Sequence, residues 1–559
     1  MDVSGTSGFR STSEGPDRGV PRSSAMWRRL LILTAGAAAV VGPVALSPLG
    51  TSAANVHQHV NCVKASFCTE VVDSEQVFGE GVYVGHDEPS LLFYSNQPGS
   101  GNKYSTVLTL PKQPATNQTP GKASYDFQLH PAFWFGMAMC DTQSYPELLK
   151  TCTPDSNSNI VDPAKSDQHA GTAFMEMQFY PPGWAPFNLP GGISCSATQW
   201  CAALTIDSLS NNPVTGAQNN AACESTAGEE YVNFAFITLN GVPQAPPNPV
   251  DATASTFTPD PTQDLMMNGG DKVSVKMHDT AQGLRIDIND GTTGKNGFMV
   301  ASAHNNFAQV KFDPTGSGCT AIPYNFHPMY STSSPMTRVP WAAHTYNVAF
   351  SDEIGHFDYC SAVNSSLGCN PGGTEGVGAN KEPSDGDDFL CLPGGDAMLY
   401  LIGGCANSNV PGFDGTSYLN DWSDGVHANR PTPIQFTSFL TGAGYDSNYS
   451  RAGFETDLPR VEQGIAGCDP FNAVGCTLLP TTDDGTAAAF YPYFTIDSHG
   501  GTCTWVYGNT VAGMTTNNFG KNNQYGTYDT GVDYTGAGGV PFAKADDFRK
   551  IISNPCPAA

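Results

Sequence analysis

The strongest constraint on this chain is a period of two. From about residue 76 to 360 the sequence is a series of short runs in which apolar and polar residues alternate, punctuated by Gly, Pro, Asn, Asp and Ser. SLLFYSN (90–96), YSTVLTL (104–110), SYDFQLH (124–130), AFWFGMAMC (132–140), AFMEMQFY (173–180), WCAALTIDSL (200–209) and EYVNFAFITLNG (230–241) all have this form. Successive side chains of a strand point to opposite faces, so such runs bury one face against a second sheet. After a Pro-rich linker (243–261), DKVSVKMHDTAQGLRIDINDGTTGKNGFMVAS (271–302) predicts three meandering strands, turning at Gln282–Gly283 and Thr293–Gly294. HTYNVAFSDEIGHFDYC (344–360) predicts a hairpin around Ser351–Glu353. No useful helical period precedes residue 430, and FRKIISN (548–554) predicts a closing helical turn. The expected class is mainly β: an antiparallel jelly-roll sandwich with a second, disulfide-rich and loop-rich lobe.

Composition narrows the function. Only 14% of the 559 residues are charged and the formal net charge is −27, which excludes a nucleic-acid binder, since phosphate contacts need a Lys/Arg surface. Sixty Gly and 42 Pro mark a turn-rich chain. Arg28 and Arg29 precede a short apolar run (30–46), and Ser52 and Ala54 offer a small-residue cleavage site. That is the layout of a secretory signal, too short for a spanning helix. Residues 1–54 therefore read as leader and signal, and the mature protein is expected outside the cell, monomeric and without a membrane anchor. All 16 cysteines follow residue 54, an even number that suits disulfides in an exported chain. Close spacing suggests Cys62 with Cys68, Cys140 with Cys152, Cys195 with Cys201, Cys360 with Cys369, Cys391 with Cys405 and Cys468 with Cys476. The texture changes after Cys360, so residues 55–360 read as the sandwich and 361–559 as a Cys/Gly-rich C-terminal lobe.

Candidate chemistry lies on the strands. In AFMEMQFY, Phe174, Glu176, Gln178 and Tyr180 share one face, and Met175, Met177 and Phe179 share the other. Two aromatics beside a carboxylate can stack on a sugar and desolvate the acid. Glu229, Tyr231 and Asn233 form a second polar–aromatic set, Glu230 opens the same run, Asp126, Gln128 and His130 form a third set, and Asp207 sits near the end of WCAALTIDSL. A glycosidase needs two carboxyls across the scissile bond, one with a raised pKa. Glu176 is the expected acid/base, with its partner drawn from Glu229, Glu230 or Asp207. Phe174, Gln178, Tyr180, Tyr231, Asn233, Asp126 and His130 are the expected substrate contacts. The competing reading is a solvated outer sheet face, which also carries alternating polar residues.

No cofactor is required. Two Asp-rich loops, one with Asp387 and Asp388 and one with Asp414, are candidates for a structural calcium ion, although neither has the EF-hand register. There is no G-x-S-x-G elbow, H-E-x-x-H helix or phosphate-cradling Gly loop.

FMEMQFY, together with WAAHTYNVAFSDEIGHFDYC, resembles the concanavalin-like jelly roll of legume lectins and glucanases over about residues 90–360. The resemblance implies a concave glycan-facing sheet. The glucanase signature E-[IL]-D-[IVF]-x-E is absent: Gln178 stands where the aspartate would be and Tyr180 where the second glutamate would be. FDGTSY, FETDLP and FYPYF in the C-terminal part resemble segments of exported actinobacterial and fungal proteins of unassigned activity. The leading expectation is a polysaccharide-degrading enzyme with paired carboxylates. The alternatives are a lectin-like glycan-binding protein and an acid-acting carboxyl peptidase using Glu176 and Gln178.

Overall fold

A computed structural model of the chain describes residues 90–94, 102–112, 119–122, 124–127, 133–144, 172–180, 182, 195–196, 198–210, 217–228, 230–328, 348–352, 357–360, 435–449, 451–459, 496–499, 502–506, 531–532 and 545–553. The strands follow the alternating runs closely. They begin with β1 (Ser90–Tyr94), β2 (Lys103–Thr109), β3 (Ser124–Phe127), β4 (Phe133–Cys140), β5 (Thr172–Tyr180), β6 (Gln199–Leu209) and β7 (Glu230–Phe236). Then come β8 (Met267–Asn268), β9 (Lys272–Thr280), β10 (Gly283–Asp290), β11 (Asn296–Val300), β12 (Ala308–Val310), β13 (Ala321–Pro323), β14 (Val348–Asp352) and β15 (Phe357–Cys360). The C-terminal part adds β16 (Gln435–Thr437), β17 (Leu440–Thr441), β18 (Ser447–Asn448), β19 (Arg451–Pro459), β20 (Ile496–His499), β21 (Thr502–Val506), β22 (Gly531–Val532) and β23 (Ala545–Ser553).

Two antiparallel sheets account for most of these strands. One runs β22-β23-β19-β1-β14-β4-β5-β6-β7, with β8 beside β6. The other runs β11-β10-β9-β2-β16-β21-β20, with β17 and β18 attached to β2. Their inward residues form one apolar cluster. The first sheet contributes Phe133, Phe135, Met175, Met177, Phe179, Leu204 and Ile206, and the second Leu108, Val273, Val275, Met277, Ile286 and Ile288. Each buried side chain of this size contributes about 1.5–3 kcal/mol by leaving water. The arrangement is sandwich-like, with almost no helix. The one α-helix among the described residues, α1 (Ala221–Ala227), starts where the Asn220 side chain accepts the Cys223 amide and ends at Gly228, φ 83°.

The three-strand meander stands as the turn residues predict. Gly283 is needed there: its φ is +116°, and a Cβ would lie 2.4 Å from the Ala301 carbonyl oxygen. Two other expectations fail. Residues 344–360 are not a hairpin, because β14 pairs with β1 and β4 while β15 pairs with β3 in a separate two-stranded ribbon. The predicted helical turn over 548–554 is instead β23, paired along its length with β19. The segment Phe-Arg-Lys-Ile-Ile-Ser alternates as well as it winds, and an open strand edge decides the matter.

The boundary at residue 360 does not divide the hydrogen bonding. Strand β19 pairs with β1, and β16 with β2, so the described C-terminal strands belong to both sheets. Between β16 and β17, Phe439 is fully buried. Its ring lies 4.8 Å from Phe93 of β1 and 5.2 Å from Phe135 of β4. Disulfides join Cys195 to Cys201, as the spacing suggests, and Cys223 to Cys319, a pair 96 residues apart that spacing did not suggest. Cys140 is also disulfide-bonded. The other suggested pairs, and the leader, lie outside the described residues. These bridges fit an oxidising compartment. No helix among the described residues is long and apolar enough to cross a membrane.

Phe439→Ala should lower stability by about 3–5 kcal/mol, because it leaves a cavity where the two halves of the chain meet; chemical denaturation of purified protein measures this.

Candidate functional site

Strand β5 lies between β4 and β6, and its register fixes the neighbours of every candidate. Glu176 is opposite Gly136 on β4 and Thr205 on β6. Gln178 is opposite Trp134 and Ala203, and Phe174 is opposite Ala138 and Asp207. With Met175, Met177 and Phe179 in the shared core, the Glu176 face looks the other way. That face is not open, since Phe174 and Gln178 are each 3% exposed and Tyr180 1%. At one end Tyr180 packs with Cys201, Ala203, Phe234, Phe236, Phe257 and Met266 in a second apolar cluster.

Gly136 makes room for the wall beside Glu176. A Cβ there would lie 2.4 Å from both Phe174 Cζ and Trp134 Cζ3. The two rings therefore lean over the glycine, edge to face with centroids 5.6 Å apart. Glu176 keeps part of its surface, yet its carboxyl is enclosed by neighbours. Burial pushes it up from the ordinary 4.5 to about 7, opposed by a hydrogen bond from Gln178. In that bond Gln178 Nε2 donates to Glu176 Oε2 at 2.6 Å. The Tyr180 hydroxyl in turn donates to Gln178 Oε1. Phe174, Glu176, Gln178 and Tyr180 thus form one connected face, as the alternation implied.

Of the proposed partner carboxyls, Asp207 shares this face. It is partly exposed and stands diagonally across from Glu176, because it pairs with Phe174. Diagonal neighbours on one face of an antiparallel pair are about 7–8 Å apart. Glu230 opens β7 opposite Leu209, and Glu229 lies outside the described residues.

Tyr231 and Asn233 do not join the site. They pair with Ser208 and Ile206, whose side chains lie on the opposite face of the sheet from Glu176. There the Tyr231 hydroxyl accepts from Asn219 Nδ2 at 2.9 Å. Asn233 exchanges two bonds with the Ala308 backbone, at 2.9 and 3.0 Å, and so holds β12. Asp126 lies in the β3–β15 ribbon, opposite Asp358, away from β5. His130, Asp387, Asp388 and Asp414 lie outside the described residues. Among the described residues no group of three or more His, Cys, Asp or Glu is placed to hold a metal ion.

Two buried acids escaped the sequence reading. Asp141 is fully buried and accepts from Ser208 Oγ (2.6 Å), Gln309 Nε2 (2.7 Å), Gln143 N (2.8 Å) and Ser144 N (3.3 Å). Burial raises its pKa despite these donors. No local signal marks it, since Gln309 is 168 residues away. Asp264 is 1% exposed; Asp260 N donates to its Oδ2 at 2.7 Å, and burial pushes it from 3.8 to about 7.

Comparison with protein-family models, curated proteins and solved structures finds no match for this chain. The site therefore rests on its own geometry.

Glu176 and Asp264 both have folded pKa values above their ordinary ones. Their contribution to stability is complete below about pH 4 and is lost as pH rises to about 7. The melting temperature should fall across that window, and Glu176→Gln and Asp264→Asn should each flatten the fall; calorimetry from pH 4 to 8 checks this.

Proposed function

We propose that this chain is an exported, carbohydrate-active hydrolase of concanavalin-like jelly-roll type. Glu176 is the general acid and Asp207 the second carboxyl. The observation that carries this reading is an enclosed carboxyl, held near pH 7 by burial, with a second carboxyl diagonal to it on the same sheet face. An acid that keeps its proton in weakly acidic solution can protonate a glycosidic oxygen. A separation of about 7–8 Å falls in the range for inverting enzymes, where a water sits between the carboxyls. The buried Phe174 and Tyr180 act as walls that desolvate and shape the acid. This weakens the lectin-like alternative, which needs these rings and Tyr231 as an exposed platform; Tyr231 is only 2% exposed. The reading needs no cofactor, and the signal-like N-terminus together with the disulfides supports export.

The 2.6 Å contact between Gln178 and Glu176 supports a second reading, an acid-acting carboxyl peptidase in which the amide orients the acid.

A screen of plant, fungal and bacterial polysaccharides for new reducing ends, run beside a denatured-protein substrate at pH 3–5, separates the two. Under the first reading glycan is cleaved with inversion, seen by proton NMR of the first-formed anomer. Glu176→Gln and Asp207→Asn then each cost roughly 10²–10⁴-fold in kcat. Retention of configuration, or full activity in Asp207→Asn, removes Asp207 from the mechanism. Peptide release without glycan cleavage favours the second reading.

A further inference from the structure

The bonding pattern on β5 assigns a role to two residues that do not themselves meet a substrate, and it rests on Glu176 being the acid. Glu176, Gln178 and Tyr180 stand two residues apart on one face, so their polar ends can follow one another along the strand. A protonated carboxyl has one carbonyl oxygen and one hydroxyl. Gln178 Nε2 donates to Oε2, so Oε2 is the accepting oxygen. A glutamine amide alone could present either end, but here the Tyr180 hydroxyl donates to Gln178 Oε1 and turns the NH₂ toward Glu176. Gln178 and Tyr180 are 3% and 1% exposed, so bulk water does not compete for either bond.

We propose that Gln178 and Tyr180 are positioning residues for Glu176. The tyrosine hydroxyl sets the amide, the amide occupies Oε2, and the acid proton is left on Oε1, from which it is transferred. The same relay favours the charged form once the proton has gone, because a carboxylate can only accept. Strand β4 brings no charged side chain to this face, and β6 brings only Asp207. Glu230 stands one strand further away, at the start of β7. The relay is therefore the main polar influence on Glu176 from its own strand.

The test is a substrate-free titration of the Glu176 carboxyl by carbon NMR in the full-length protein, in Gln178→Met and Tyr180→Phe. Removing a donor to a charged group should raise the midpoint above that of the parent, by about one to two pH units in Gln178→Met and by less in Tyr180→Phe. A role confined to packing would leave the midpoint in place. An unchanged midpoint in a natively folded Tyr180→Phe, which deletes a single oxygen from a buried ring, overturns the proposal even if Gln178→Met fails to fold. Because no turnover is needed, this failure is distinct from failure of the hydrolase reading. Where turnover is found, the loss of kcat at high pH should move upward with the midpoint.

Discussion

Removal of both faces of β5 from water is the constraint on which the rest of the site depends. One face supplies Met175, Met177 and Phe179 to the core shared by the sheets. The other carries Phe174, Gln178 and Tyr180, all nearly inaccessible. A glutamate placed in the middle of such a strand has little water to stabilise its charge. Its proton affinity rises until hydrogen bonds offset the burial. Sandwich strands usually keep one solvated face, and β5 departs from that rule where a carboxyl is present.

The neighbouring strands reinforce this. Gly136 would be a weak choice for an interior strand position on propensity alone. Here its missing Cβ lets the Trp134 and Phe174 rings meet above it. On the other side Thr205 Oγ1 donates to the Glu176 carbonyl at 3.3 Å, tying β6 to β5 beside the acid. Packing, rather than a nearby charge, shifts this group.

The local pattern made much of the fold legible. Strands β2, β4, β5, β6 and β9–β11 could be read from alternation, because each buries a face and each is bounded by turn residues. Partner choice could not be read. The split of 344–360 between two sheets and the pairing of β23 with β19 depend on which edges are open, and no local run records that. The site divides in the same way. The shared face of Phe174, Glu176, Gln178 and Tyr180 follows from the side-chain period. The placement of Asp207 with them, and of Tyr231 and Asn233 on the far side, follows from register between strands. Asp141 and Cys223–Cys319 were invisible because their partners lie far away in the chain.

The interleaving of the chain ends has a consequence for how the molecule is made. The edge of β1 that β19 fills, and the edge of β2 that β16 fills, wait for segments synthesised more than 300 residues later. Until then the nascent chain holds two central strands with unpaired backbone on one side, the arrangement most prone to joining the wrong neighbour. Loop closure over that distance is entropically costly and slow. Productive folding therefore belongs to the finished chain, and a holding factor that covers those edges would raise the yield without altering the final structure.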